Sequence, residues 1–210
     1  MKRLVFLFLL CLSWPVLLWA SEPLDKMQAS YEKIVSFKTT FYQVLTNAAS
    51  KEQELRKGKI YFKKPELILW EVEEPEPEKL LVTPQGVWDY FPEENTAYKY
   101  PKDKLFSSKT MLKFISGKAN LKEDFVPEFM GKEKDGLKFK LVPKNPEPNL
   151  VLAFIWIDEK KSILNRILLV DFFGNGNELS LTNTEINVPL DNKLFSLDLP
   201  KDVEVIENNS

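Results

Sequence analysis

The sequence contains no histidine, and its single cysteine, Cys11, stands among the first twenty residues. Without histidine there is no Ser/His or Cys/His nucleophile pair, the commonest general base is gone, and most zinc sites lose a ligand. Neither sign of charge dominates, with 29 Lys and Arg against 31 Asp and Glu. Lys2 and Arg3 both lie at the extreme N terminus, so a chain shortened there is more acidic still. That is the opposite of the basic surface that nucleic acid requires, and no nucleic-acid partner is expected. The cluster Gly174-Asn175-Gly176-Asn177 lacks the third glycine and the following helix of a dinucleotide loop. No serine sits in a Gly-x-Ser-x-Gly context. The carboxylate pairs Glu73-Glu74, Glu93-Glu94 and Glu123-Asp124 fall in charged, loop-like stretches and read as solvated surface. Asp89 and Asp171 lie beside aromatics in strand-like segments, where edge or outward positions are expected. No catalytic residue, metal ligand or cofactor is implied.

Residues 1–20 have the make-up of a secretory signal peptide. Lys2-Arg3 precedes an almost unbroken apolar run from Leu4 to Leu18, and Ala20 precedes polar Ser21-Glu22. Cleavage is expected after Ala20, which leaves a chain without cysteine and so without disulfides. Leu18 stands where a small residue is preferred, so an uncut anchor is the alternative, although the run is short of the roughly 20 residues of a membrane span. A lipid-modified Cys11 fits less well, because Leu10 is large and the apolar run continues past the cysteine.

What the rest of the chain holds is aromatic and aliphatic strand sequence. Gly58–Pro92 is its centre. Ile60 and Phe62 alternate with Lys59, Tyr61 and Lys63, the period of a half-buried strand. Leu67–Glu73 follows after Pro65, which cannot donate to a ladder. Lys79–Thr83, Val87–Phe91 and Ala97–Tyr100 continue the meander. Phe37–Leu45 reads as an earlier strand, and Thr46–Lys57 as a polar turn or hairpin loop. Later strands are expected at Phe125–Phe129, Gly136–Val142, Leu150–Ile157, Ile163–Phe172 and Glu178–Asn187. Phe195, Leu197 and Leu199 form a last apolar alternation before a polar tail at 207–210.

Two helices stand out. Leu24, Met27, Tyr31, Ile34 and Val35 recur at helical spacing, with Ser21 as start signal and Pro23 in the first turn. Residues 105–116 change period again. Ser108 can cap Lys109–Ser116, Met111, Leu112 and Ile115 make one stripe with Phe114 beside it, and Gly117 can end the helix. Two turns do not persist alone in water, so this segment must dock on apolar surface, as a lid or as an ordinary packed helix. Two such helices cannot cover a flat sheet of about ten strands. Either the sheet curls, or apolar area stays free for a ligand. One domain is expected over 21–210, since no repeat or linker interrupts it.

These pieces together resemble a known family. Val35-Ser36-Phe37 with Phe41 and Gln43, the block Gly58-Lys59-Ile60-Tyr61-Phe62-Lys63-Lys64-Pro65-Glu66-Leu67-Ile68-Leu69-Trp70, the pattern Gln85-Gly86-Val87-Trp88-Asp89-Tyr90, then Leu141-Val142-Pro143-Lys144 and Phe195-Ser196-Leu197-Asp198-Leu199-Pro200 occur in the order seen in the periplasmic outer-membrane lipoprotein carriers (LolA). The resemblance implies a mainly β (α+β) fold. A strongly curved antiparallel sheet would form an incomplete barrel, covered by the N-terminal helix and the short helical lid. It implies a non-enzymatic periplasmic carrier, a monomer, that holds the acyl chains of lipoproteins in an apolar cavity. An inner-membrane ABC transporter would release the cargo, and an outer-membrane receptor or the outer membrane itself would take it. By position it puts Ile68 and Trp70 on the cavity wall, with Phe41, Ile60 and Phe62 following by strand parity. Trp88 and Tyr90 join them by the second motif, and Met111, Leu112 and Ile115 line the lid. Lys64 stands where the family often has an arginine that bonds to the lid. A lysine there is a candidate latch without the planar fork of arginine. The sister outer-membrane receptor, a periplasmic lipoprotein sensor of the same fold and a small hydrolase are the rival readings. The first lacks a well-placed lipidated cysteine, the second lacks length for a further domain, and the third lacks histidine and a nucleophile motif.

Overall fold

The computed structural model describes residues 16–101 and 110–208, with side chains from residue 22 onward. The expected cap Ser108, Lys109 and the first part of the 105–116 segment lie outside the described residues, as does most of the N-terminal apolar run. Among the described residues no helix is long and apolar enough to cross a membrane.

The described residues begin in α1 (Val16–Lys33). Ser21 therefore lies inside the helix and Pro23 well beyond its first turn, contrary to the sequence expectation. Leu17, Leu18 and Ala20 are good helix formers and carry the helix upstream of Ser21. Twelve strands follow in one sheet: β1 (Ser36–Thr46), β2 (Gln53–Lys63), β3 (Leu67–Glu74), β4 (Glu78–Thr83), β5 (Gly86–Phe91), β6 (Thr96–Tyr100), β7 (Phe125–Glu133), β8 (Gly136–Pro143), β9 (Leu152–Ile157), β10 (Leu164–Val170), β11 (Gly176–Ile186) and β12 (Glu204–Glu207). A second helix, α2 (Thr110–Ile115), lies between β6 and β7. The strand order is β12-β6-β5-β4-β3-β2-β1-β11-β10-β9-β8-β7, so β12 and β7 are free edges and the sheet does not close. It is an incomplete, mostly β barrel, as the family resemblance implies, with one departure. β12 runs parallel to β6, so the sheet is mixed rather than wholly antiparallel. The polar tail expected at 207–210 thus begins as a strand, held by backbone pairing along β6 rather than by an apolar side-chain pattern.

Curvature comes from irregular register. The pairing shifts at Lys38/Thr40, Lys57/Gly58, Phe129/Gly131 and Leu164/Arg166, and each such bulge bends its strand. Gly58 marks the tightest approach. A Cβ there would stand 1.8 Å from the Glu71 carbonyl oxygen and 3.0 Å from the Phe41 ring.

The inner face is one continuous apolar cluster. Phe37, Phe41, Ile60, Phe62, Ile68 and Trp70 from one half meet Phe139, Leu141, Ile155, Ile167 and Leu179 from the other. α1 lays Leu24, Met27 and Tyr31 onto it, and α2 adds Met111, Leu112, Phe114 and Ile115. A helix buried on nearly every side has no amphipathic stripe, which is why Phe114 is as buried as its neighbours. Gly117 ends α2 at φ +70, and a Cβ there would meet the Tyr31 ring at 2.7 Å. The two helices thus touch where only glycine fits.

The outer face carries a smaller cluster. Leu69, Leu81 and Phe195 are buried there, with Trp88, Leu194 and Leu197 packed against them. The last apolar alternation, at Phe195, Leu197 and Leu199, follows a 3-10 turn, Asn192–Phe195, and Phe195 and Leu197 dock on the outside of the sheet.

Candidate functional site

The concave face opens at the end of the sheet where the β1–β2 and β10–β11 hairpins turn. The cavity there measures about 720 Å³. Its apolar lining is Leu45, Trp70, Leu80, Leu169, Met111 and Leu112, drawn from β1, β3, β4, β10 and α2. Its rim is polar: Gln43, Glu54, Arg56, Glu78, Asp171, Asn175 and Asn177.

Strand register explains both parts. Phe41, Gln43 and Leu45 share the inner face of β1 and stand opposite Gly58, Arg56 and Glu54 of β2. The inner face therefore turns from aromatic to polar as it approaches the opening. The Arg56 guanidinium donates to Glu54 and, at 2.9 Å, to Glu78 Oε2. Burial opposes its charge, but those two carboxylates outweigh burial and push its pKa up. On the neighbouring strand β11, Asn177 Oδ1 accepts from Gln43 Nε2 at 2.8 Å. Thr110, at the start of α2, accepts from Asn149 Nδ2 at 3.2 Å and joins the rim. Deep inside, the Tyr31 phenol is held well above its ordinary pKa by burial, and a backbone hydrogen bond with Leu164 offsets this only in part. Among the described residues no cluster of three or more acidic or cysteine side chains is arranged to hold a metal ion.

The residues singled out in the sequence divide into three groups. Trp70, Met111 and Leu112 line the opening. Phe41, Ile60, Phe62, Ile68 and Ile115 share the inner cluster behind them, with the Phe41 and Trp70 ring centroids 4.8 Å apart. Trp88 and Tyr90 lie on the other side of the sheet. Leu80 pairs with Asp89 and Leu81 with Trp88, so Val87 and Asp89 face inward while Trp88 packs against Leu81 and Phe195 outside. The inward turn of Asp89 also reverses its expected outward position. Two residues of opposite character alternate on β5, and the aromatic one covers the outer cluster.

Lys64 reaches α1 rather than α2. Its Nζ donates to the carbonyl oxygens of Tyr31 at 3.1 Å and Glu32 at 2.6 Å, in the last turn of α1. A cation at a helix C terminus meets unpaired carbonyls and the negative end of the dipole. The end of α2 is tied elsewhere, by Lys118 to Glu66 at 3.2 Å and by Gln28 Nε2 to the Gly117 carbonyl at 3.5 Å.

Sequence reasoning missed most of the opening: Leu45, Glu54, Arg56, Glu78, Leu80 and Leu169. The signal was available. Extending the alternation of Phe41 to Leu45, and of Ile60 back to Glu54, places Leu45, Arg56 and Glu54 on the inner face. Reading 46–57 as a polar loop cut that alternation short.

Residues 32–198 match the family model for the outer membrane lipoprotein carrier protein LolA. An outer-membrane lipoprotein carrier protein of Methylococcus capsulatus is 25% identical over 201 residues, covering 92% of this chain and 95% of its own. One of Idiomarina loihiensis is 25% identical over 207 residues, covering 98% of each. In three dimensions an uncharacterized conserved protein from Thermus thermophilus superposes with a TM-score of 0.59 at 17% identity, over 90% of this chain and 99% of that one, a likeness of fold. The open, curved sheet, the helix-lined cavity on its concave face and a match spanning most of the sequence agree, and the chain belongs to the outer membrane lipoprotein carrier protein (LolA) family.

Proposed function

We propose that this protein binds the acyl chains of lipoproteins in the cavity between Trp70, Leu80, Leu169 and α2, and carries them across the periplasm from the inner to the outer membrane. The observation that carries this reading is an apolar cavity with a polar rim, set on the concave face of an open sheet in a chain whose relatives are named lipoprotein carriers. The apolar floor suits acyl chains, at about 0.8 kcal/mol per buried methylene. The amide and charged groups of the rim suit the polar end of a lipidated polypeptide. A volume of about 720 Å³ lies within the range of sites that enclose small ligands. Displacing α2 would lengthen the cavity toward Phe41, Ile60, Phe62 and Ile68, because α2 covers the same apolar cluster. Residues 1–20 direct export and are removed, the mature protein is a periplasmic monomer, and its role is binding rather than catalysis. An inner-membrane ABC transporter supplies the cargo, and an outer-membrane receptor or the outer membrane accepts it.

An environment-sensitive apolar fluorophore tests the reading. It binds the folded protein, and a peptide carrying acyl chains on its N-terminal residue displaces it while the unacylated peptide does not. Equal displacement by the two peptides defeats the acyl-chain reading.

A further inference from the structure

Phe172 and Phe173 are the most exposed large apolar side chains described, at 72% and 77%. They occupy the turn between β10 and β11, with ring centroids 5.7 Å apart and planes at 84°. Together they present roughly 300 Å² of apolar surface, taking about 200 Å² for each ring, which is the size of a functional patch rather than a stray surface residue.

The turn that carries them is fixed. Asp171 accepts hydrogen bonds from the Phe173 and Asn175 backbone N–H groups at 2.9 and 2.8 Å and from Asn175 Nδ2 at 2.8 Å. The Phe172 N–H donates to the Pro148 carbonyl at 2.9 Å, and the Ala48 N–H donates to Asn175 Oδ1 at 2.9 Å. Two neighbouring segments and the turn's own Asp171 thus fix the backbone that presents the rings, and refolding the turn to hide them would break this net. Asp171 and Asn175 also line the cavity, so the aromatic tip stands at its mouth.

We propose that this tip inserts into the interface of a lipid bilayer and seats the cavity mouth on the membrane surface. Charge indicates the kind of surface. Among the described residues, the segments that meet at the tip carry Lys51 and Lys144 against Glu52, Glu147 and Asp171, a net negative balance. Such a balance offers anionic headgroups nothing, so insertion is apolar, suits zwitterionic lipid and is insensitive to salt. A bilayer also fits the shape. The rings form a convex wedge, which a protein partner would have to receive in a groove, whereas a membrane interface needs no matching contour. The insertion does not depend on what the cavity holds.

Vesicle flotation with neutral phosphatidylcholine tests it, using protein purified from the soluble periplasmic fraction so that wild type and variants share one N terminus. The wild type floats with the vesicles, and Phe172→Ser with Phe173→Ser lowers its partition coefficient at least tenfold. Val205→Ser with Ile206→Ser, on the distant β12, leaves it unchanged. Fluorophore binding in the cavity is the same in all three, which separates this result from the acyl-chain reading. A wild type that stays with the soluble fraction, a tip variant that floats equally well, or binding that needs anionic lipid and vanishes in salt overturns the proposal. So does a wild type that ignores vesicles but cross-links through position 172 to a protein, which would move the surface to a protein partner.

Discussion

Met111 offers the sharpest perturbation of the cavity, because it lines the opening from α2 and is itself only 6% exposed. Met111→Glu places a carboxyl group where an acyl chain would lie. Binding must then either remove the carboxylate from water, at several kcal/mol, or protonate it. Protonation sets the ceiling. From an ordinary Glu pKa of about 4.3, neutralising the group at pH 7.5 costs about 4.4 kcal/mol, or roughly a thousandfold in affinity. At pH 5.5 the same step costs about 1.6 kcal/mol, or little more than tenfold. The sign follows from linkage: the bound state takes up a proton, so affinity rises as pH falls. Titration of the apolar fluorophore at both pH values reads the effect, with any drift of the wild type subtracted. Met111→Leu, nearly equal in volume, costs less than about 1.5 kcal/mol of stability and keeps its affinity. A folded Met111→Glu protein that binds as tightly as the wild type, or whose defect does not shrink at pH 5.5, refutes the placement of ligand against α2.

Three further outcomes concern the frame around the cavity. Gly58→Ala drives a methyl into the Glu71 carbonyl and the Phe41 ring, so it lowers stability by about 3 kcal/mol, read from the urea midpoint. Lys64→Met removes two bonds to the last turn of α1, at about 1 kcal/mol, and speeds amide exchange around residues 30–34 while leaving 110–116 unchanged; faster exchange confined to 110–116 would restore Lys64 as a latch on α2. Tyr31 is kept neutral by burial above the ordinary tyrosine value of 10.0, so its contribution is complete below that pH and is lost as pH rises through its higher folded-state pKa. Tyr31→Phe costs about 1 kcal/mol at neutral pH but flattens the alkaline decline, checked by urea midpoints at pH 8 and 10.5.

The parts of the fold that were legible in the sequence are those with a strong local period. Alternation at Ile60/Phe62 and Leu179/Leu181 put the right residues inward, and the 3-4 spacing of Leu24, Met27 and Tyr31 located the covering helix. Parity on β5 was not legible. Val87, Trp88, Asp89 and Tyr90 alternate aliphatic and acidic against aromatic, and the larger side chains suggest the core face. Only the docking of Phe195 and Leu197 on the outside of the sheet gives Trp88 a partner there. β12 was equally hidden, since it joins the sheet through backbone pairing with β6 and its side chains are exposed. The cavity fell between these cases. Its aromatic floor at Trp70 follows from strand pattern, whereas its rim needs β2 to reach back to Gln53 through Glu54-Leu55-Arg56, which in isolation reads as loop. Lys64 is a candidate lid latch by its place in the sequence, but which helix it reaches is set by the packing of α1 across the sheet.

Native mass spectrometry of the protein released from the periplasm tests the central claim most directly. The account predicts a species holding one carrier and one acylated lipoprotein, which Met111→Glu depletes and which is absent when the cargo lacks its acyl chains. Finding only the free protein from cells making abundant lipoprotein, or equal association with unacylated cargo, would contradict it.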